Sequence, residues 1–205
     1  GVKHIKLNVQ SKNPIIIANN IAKLKSIFKK YQPDIVHVRS RAPMISAYYA
    51  CKDNKKIKLV STVHGPYSTH LFQKNKDSRI KKLYNSYMLK ADHVIAVSNF
   101  VKDYIFKKYQ EISDNKISVI HRGVDEEIFD PKKISIQRTI ELSKQWGIQE
   151  DKDVILFPAR ITSWKGHEFL IDSLKKVKKD FICIFIGSAH GHENFASKIK
   201  QKIVD

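Results

Sequence analysis

The sequence predicts an α/β fold with doubly wound parallel sheets, laid out as two successive domains over residues 1–124 and 125–205. Three observations carry this. Short apolar runs alternate four times with amphipathic stretches at helical spacing, the pattern of parallel strands joined by crossover helices. The apolar run 154–157, its loop and the amphipathic stretch after it repeat that unit later in the chain. The charge is divided as well. Residues 1–124 hold 24 Lys plus Arg against 7 Asp plus Glu, a net of +17, whereas residues 125–205 hold 14 against 13, a net of +1.

Taken in order, residues 4–10 are expected to form a short strand. After Pro14, Ile17, Ile21, Leu24, Phe28 and Tyr31 share one helical face, and Pro33 stops the helix. Residues 34–38 form a compact strand, Arg39-Ser40-Arg41-Ala42-Pro43 a loop at its carboxyl end, and 44–52 a helix. The next strand, 58–63, runs into His64, and Gly65-Pro66 turns the chain there, leaving His64 at the strand's carboxyl edge. A helix presenting Ile80, Leu83, Tyr84, Tyr87, Met88 and Ala91 leads to the strand 93–97, with Ser98 as N-cap of a helix over 100–109. The strand 117–120 leads into His121-Arg122-Gly123-Val124-Asp125, and the acidic segment 125–131 reads as a linker. A helix ending at Trp146 with Gly147 as its cap precedes the strand 154–157. The helix after that opens near Gly166 or His167, with Leu170, Leu174 and Val177 as its apolar face; the strand 181–186, Gly187 and a helix over 193–204 follow. Both domains are expected to be incomplete, the first lacking an opening unit and the second stopping after two strands.

Composition narrows the function. At 205 residues and 42% apolar content the chain reads as an ordinary globular protein, with no apolar run near the ~20 residues that span a bilayer. Gly1-Val2-Lys3-His4 has neither an initiator Met nor a signal-peptide core and reads as cut from a longer chain. Cys51 and Cys183 suggest no disulfide framework, which points to a reducing, cytoplasmic setting. His190 and His192 lack partners in a ligating pattern and read as a solvated loop. Neither a Gly-rich dinucleotide motif, a Walker loop nor a serine elbow is present, so the chemistry expected is anion stabilisation.

The anion site is expected at Arg160, just past a strand, and Lys165, just before a helix. Gly166 lets the backbone turn close to a ligand, and a helix N-terminus adds N–H groups and a positive dipole end. A guanidinium and an ammonium on that side suit a doubly charged phosphate, where a lysine-rich chain would otherwise simply have a solvated loop. Arg39 and Arg41 are either solvated or a grip on an anionic acceptor or phosphate. His64 lies on the side where an open α/β sheet binds ligands.

These residues carry a family resemblance. The segment 154–179, an apolar strand ending in Arg, then Lys-Gly and an amphipathic helix, resembles the donor-site segment of retaining GT-B glycosyltransferases of family 4 (glycosyl transferases group 1), with Ala159 where Gly is usual. Thr62-Val63-His64-Gly65, the stretch from Asp34-Ile35-Val36-His37 to Pro43, Asp92 through Ser98 and Gly123-Val124-Asp125 resemble further segments of that family in order, with Arg122 where Asn is frequent. The resemblance implies two Rossmann-like domains in a GT-B arrangement and metal-independent transfer of a sugar from a nucleotide-sugar to a hydroxyl, with retention. It implies that Arg160, Lys165 and Gly166 hold the donor diphosphate, that His64 is the catalytic residue orienting the sugar or the attacking hydroxyl, and that Gly187 belongs to the donor-site loop. Arg39, Arg41, Ser98 and Arg122 become contacts to acceptor or phosphate. The nucleotide-sugar is a substrate, and no cofactor is expected. A glycolipid or lipid-linked acceptor in cell-envelope polysaccharide or lipopolysaccharide biosynthesis is expected. So is peripheral attachment to the anionic inner face of the plasma membrane, and no nucleic acid. The family's Gly-rich first loop would lie before Gly1 and its acidic sugar-binding pair beyond Asp205, so the 205-residue chain alone is expected to be truncated and inactive. Two alternatives remain at this point: a basic nucleic-acid-binding protein, and a GT-B nucleotide-sugar epimerase.

Overall fold

The structure, a computed structural model, describes residues 2–9, 11, 13–66, 79–109, 112–149 and 151–204; Gly1 and Asp205, the outer bounds of the two expected domains, lie outside this set. The chain divides into two units, Gly1–Gly123 and Val124–Asp205.

In the first unit, α1 (Pro14–Tyr31) opens where the Asn13 side chain accepts from the Ile15 amide at 2.9 Å and Pro14 takes the first turn. There follow β1 (Ile35–Val38), α2 (Arg41–Cys51), β2 (Lys58–Val63), α3 (Arg79–Ser86), a 3-10 turn (Tyr87–Lys90), β3 (His93–Ala96), α4 (Asn99–Lys108) and β4 (Ile117–Val119). The strands are parallel in the order β1-β2-β3-β4, with Ile35 opposite Lys58, Val60 opposite His93 and Val94 opposite Ile117. All four carboxyl ends therefore share one edge.

A strand order that advances one step at a time, with right-handed crossovers, puts α2, the 3-10 turn and α4 on one face. That face is the core: Met44, Met88, Val94 and Ala96 are fully buried, packed with Val38, Leu59, Val63, Val101, Ile105 and Ile117. Two side-chain to backbone bonds fix the strands against this core. Ser61 donates to the Met88 carbonyl at 2.6 Å, and Asp92 accepts from the Leu59 amide at 2.7 Å, which sets the start of β3 against β2. The opposite face carries two cross-strand pairs, His37 with Thr62 at 2.7 Å and His93 with Ser118 at 2.9 Å. Burial, helped by the Asp92 charge, pushes the Cys51 thiol up to about 11, so it packs as an inert apolar group.

Three expectations for this unit are corrected. Residues 4–9 are not a strand; the Asn8 carbonyl instead accepts from buried Asn20 of α1 at 2.8 Å, and among the described residues β1 pairs with β2 alone. Arg41-Ala42-Pro43 is the first turn of α2, not loop, because a proline's missing N–H needs no helical partner there. The expected 80–91 helix ends at Ser86 and tightens to a 3-10 turn, leaving Met88 and Ala91 buried but Ile80 81% and Leu83 60% exposed.

The second unit holds α5 (Ile136–Gln145), β5 (Asp153–Pro158), α6 (His167–Leu174), β6 (Phe181–Ile186) and α7 (Glu193–Val204). Ser135 caps α5 by accepting from the Arg138 amide, and Gly147, at φ +64°, turns the chain out of it. β5 and β6 run parallel, from Asp153 opposite Phe181 to Pro158 opposite Ile186. The expected apolar face of α6 shifts: Ile171 and His167 are the buried residues, and Val177 lies past the helix end and is exposed. No helix among the described residues is long and apolar enough to cross a membrane.

Candidate active site

Parallel α/β sheets leave their ligand sites at the carboxyl ends of the strands, where loops and helix N-termini meet. In the second unit that place is the connection from β5 to α6. Pairing continues past both strands, with the Ala159 amide donating to Ile186 at 2.8 Å and the Ile161 amide to Ser188 at 3.1 Å. These bonds hold the backbone of Arg160 against the exit of β6. A single 3-10 turn, Ser163–Lys165, then delivers the chain to Gly166 at φ +89°, a conformation that strains any residue with a Cβ. Gly166 is the N-cap of α6 and offers no side chain, so the first amides of the helix carry no side-chain cap. The Arg160 and Lys165 side chains, both exposed, enter neither an ion pair nor a hydrogen bond with another described residue. Two cations in the connection thus lead into an uncapped helix N-terminus, an arrangement that can take a diphosphate without first breaking an internal contact.

Gly187 serves this loop sterically. A Cβ there would lie 2.0 Å from the Ala159 carbonyl oxygen and 3.2 Å from the Arg160 nitrogen, so only glycine allows the two strand exits to meet. Beneath the loop, the fully buried His167 ring meets Phe157 edge-on at 4.9 Å and lies 5.5 Å from Phe185 and 6.4 Å from Phe195. Neither ring nitrogen reaches a partner in hydrogen-bonding geometry, although the Thr162 backbone lies close by; burial holds the imidazole below its usual range and neutral. Sequence reading passed over His167 because its only signal, a histidine straight after Lys-Gly, looks like a polar helix start.

In the first unit the carboxyl edge gathers three of the expected residues. Arg122, after β4, donates to His64 Nδ1, after β2, at 2.7 Å. The backbone of Arg39, after β1, lies close to the His64 ring. Burial first, then the Arg122 guanidinium, lowers the affinity of His64 for a proton, so the ring is neutral. A guanidinium cannot accept, so Nδ1 is the lone-pair nitrogen and the proton sits on Nε2. Nothing in the sequence ties these two residues, 58 apart, together. Ser98 caps α4 by accepting from the Val101 amide at 3.2 Å, which keeps its own hydroxyl proton for a further partner. Arg41 is placed differently: it belongs to α2 and donates to the buried Asn85 at 3.1 Å, tying α2 to α3.

Two units with parallel sheets and this carboxyl-edge chemistry define the GT-B class of fold. Residues 2–128 match the Glycosyltransferase Family 4 profile and residues 139–204 the Glycosyl transferases group 1 profile, and the chain belongs to this glycosyltransferase family. A glycosyltransferase from Rickettsia africae ESF-5 is 42% identical in sequence and superposes with a TM-score of 0.80 over 98% of this chain and 51% of its own. An uncharacterized glycosyltransferase of Methanocaldococcus jannaschii is 30% identical over 184 residues, 82% of this chain and 44% of that protein. The alpha-monoglucosyldiacylglycerol synthase of Streptococcus pneumoniae is 26% identical over 168 residues, 78% of this chain and 36% of that protein. The chain therefore spans about half, or less, of the length of these relatives. Both profiles are those of glycosyltransferases.

Proposed function

We propose that the protein transfers a sugar from a nucleotide-sugar to a hydroxyl group, with retention and without a metal, and that the second unit is its donor side. The observation that carries this reading is the β5–α6 connection, where Arg160 and Lys165 lead into an uncapped helix N-terminus within a unit that matches the group 1 profile. As the sugar leaves, negative charge grows on the diphosphate. A guanidinium, an ammonium and a helix N-terminus already in place meet that charge with little reorganisation, which is the basis of electrostatic catalysis. In the first unit, burial and then the Arg122 charge keep His64 neutral, and the Arg122 bond leaves its proton on Nε2, so His64 acts as a hydrogen-bond donor that orients a sugar or acceptor hydroxyl. Arg39 and the Ser98 hydroxyl supply further contacts along that edge.

A glycolipid or lipid-linked acceptor, cytoplasmic location and peripheral attachment to an anionic membrane complete the proposal. The net charge of +17 over residues 1–124 and the diacylglycerol in the name of the pneumococcal relative support them. Titration calorimetry with UDP tests the donor side. Arg160→Ala and Lys165→Ala are each expected to weaken binding by about 1.5–3 kcal/mol, the range for hydrogen bonds to charged groups. Unchanged affinity in both variants would overturn the assignment.

A further inference from the structure

The first unit has a second concavity that sugar transfer leaves unused. A groove of about 660 Å³ lies between α3, the 3-10 turn and the end of α4, and six of the eleven described residues that line it are basic: Arg79, Lys82, Lys90, Lys107, Lys108 and Lys116. Lys90 precedes β3, Lys116 precedes β4, and Lys107 and Lys108 close α4. The groove therefore flanks the amino-terminal ends of these strands, the far side of the sheet from His64 and Arg122. Substrates of open α/β sheets enter at the carboxyl edge, so this is not a further acceptor subsite of that edge.

Its chemistry is mixed. Among the described residues no carboxylate lines it, while Leu83, Leu89, Tyr109 and Ile112 supply apolar walls. Leu83 is 60% exposed, and one turn earlier on the same helix Ile80 is 81% exposed, both set among Arg79, Lys81 and Lys82. Apolar side chains held in water beside a row of cations are the pattern of a helix that lies in a bilayer interface. An RNA or an acidic peptide would satisfy the cations but would leave Ile80 and Leu83 in water. An anionic bilayer satisfies both, with headgroup phosphates on the cations and acyl chains against the apolar residues.

We infer that this groove and the exposed side of α3 are the surface by which the protein docks on anionic phospholipid bilayers. The inference rests on the peripheral attachment proposed above, and not on the lipid-linked acceptor, and its test needs no sugar, nucleotide or turnover. The full chain is sedimented with vesicles of phosphatidylcholine alone and with about one third phosphatidylglycerol. Each basic residue near such a surface contributes about fivefold in binding, so Arg79→Gln, Lys82→Gln and Lys107→Gln together should weaken binding to the anionic vesicles by about a hundredfold. A control carrying Lys6→Gln, Lys23→Gln and Lys29→Gln, with the same net charge and none of them lining the groove, should change it by less than about threefold, because only charges that meet the headgroups escape screening by salt. Ile80→Ser with Leu83→Ser should also weaken it while leaving the charge unaltered. All substituted residues are exposed, and circular dichroism confirms that each variant is folded.

Equal losses in the groove and control variants would overturn the inference in favour of net charge. Full binding by the groove variant, or equal binding to neutral vesicles, would overturn it outright. Groove-dependent capture of an RNA oligonucleotide or an acidic peptide, with no vesicle binding, would assign the surface to another partner. UDP titration of the same variants keeps the readings apart: vesicle binding without UDP binding sustains the docking surface while failing the donor site.

Discussion

Replacing Gly187 by Ala tests how the donor-side loop is built. Gly187 is outside the positive-φ region, so alanine meets no backbone penalty there, and its whole effect is the added methyl. That methyl would fall 2.0 Å from the Ala159 oxygen and 2.7 Å from its carbonyl carbon, where ordinary contact begins near 3.4 Å. The exits of β5 and β6 must then part by more than 1 Å, and backbone, unlike a side-chain tip, has no rotamer to retreat into. Parting stretches two hydrogen bonds, from Ala159 to Ile186 at 2.8 Å and from Ile161 to Ser188 at 3.1 Å. At about 0.5–1.5 kcal/mol for each bond and about 1–3 kcal/mol for overpacking, the variant should lose roughly 2–6 kcal/mol. Both tryptophans, Trp146 and Trp164, lie in the second unit, so urea unfolding followed by their fluorescence reads this unit alone. A loss below about 0.5 kcal/mol, the level of an innocuous surface change, would refute the reasoning. UDP affinity should fall as well wherever the variant is still folded, because the displaced segment carries Arg160.

Four further outcomes are expected. Arg122→Gln should raise the pKa of His64 towards its ordinary 6.5, read from the imidazole resonances in an NMR titration; an unmoved titration would show that burial alone sets it. His167 has its folded pKa depressed below 6.5, so the unfolded chain takes up the proton first, and the stability it contributes is full above pH 6.5 and lost as pH falls below it. His167→Phe should therefore flatten the acid side of the tryptophan-detected stability profile, and an unchanged slope between pH 7.5 and 5.5 would contradict this. Met88→Ala, in the tightest part of the first core, should cost about 2–5 kcal/mol by circular dichroism, while Ser98→Ala should cost about 1 kcal/mol through loss of the α4 cap.

Much of this architecture could be read in the chain because period reports burial. Leu59, Ser61 and Val63 alternate onto the core face, and the strands at 58–63 and 181–186 and the helix at 193–204 fall where their apolar pattern places them. Errors came where context outweighed pattern. The apolar period of 80–91 continues through a stretch that the backbone folds as a short helix and a 3-10 turn. In the candidate site, Arg160, Lys165 and Gly166 were legible because they sit together in sequence. The Arg122–His64 bond, the Arg41–Asn85 bond and the contact that demands glycine at 187 join residues far apart, and no local signal encodes them.

The two units are unequally endowed. Sixteen buried apolar residues knit the first, whereas among the described residues of the second only Ile171 and Ile199 are buried apolar groups. Cooperative opening follows buried apolar contact, so the β5–β6 unit should exchange its amide hydrogens through low-energy openings while the amides of β2 and β3 are still protected. A ligand that binds only the closed form adds RT ln(1 + [L]/Kd) to its stability, about 2.7 kcal/mol at a hundredfold excess over Kd. For the β5–β6 unit within this span, about half the length of the relatives, that increment is a large share of the whole. The donor nucleotide would then act as a folding partner of the β5–α6 segment, and its arrival would be visible as slowed exchange at amides far from Arg160.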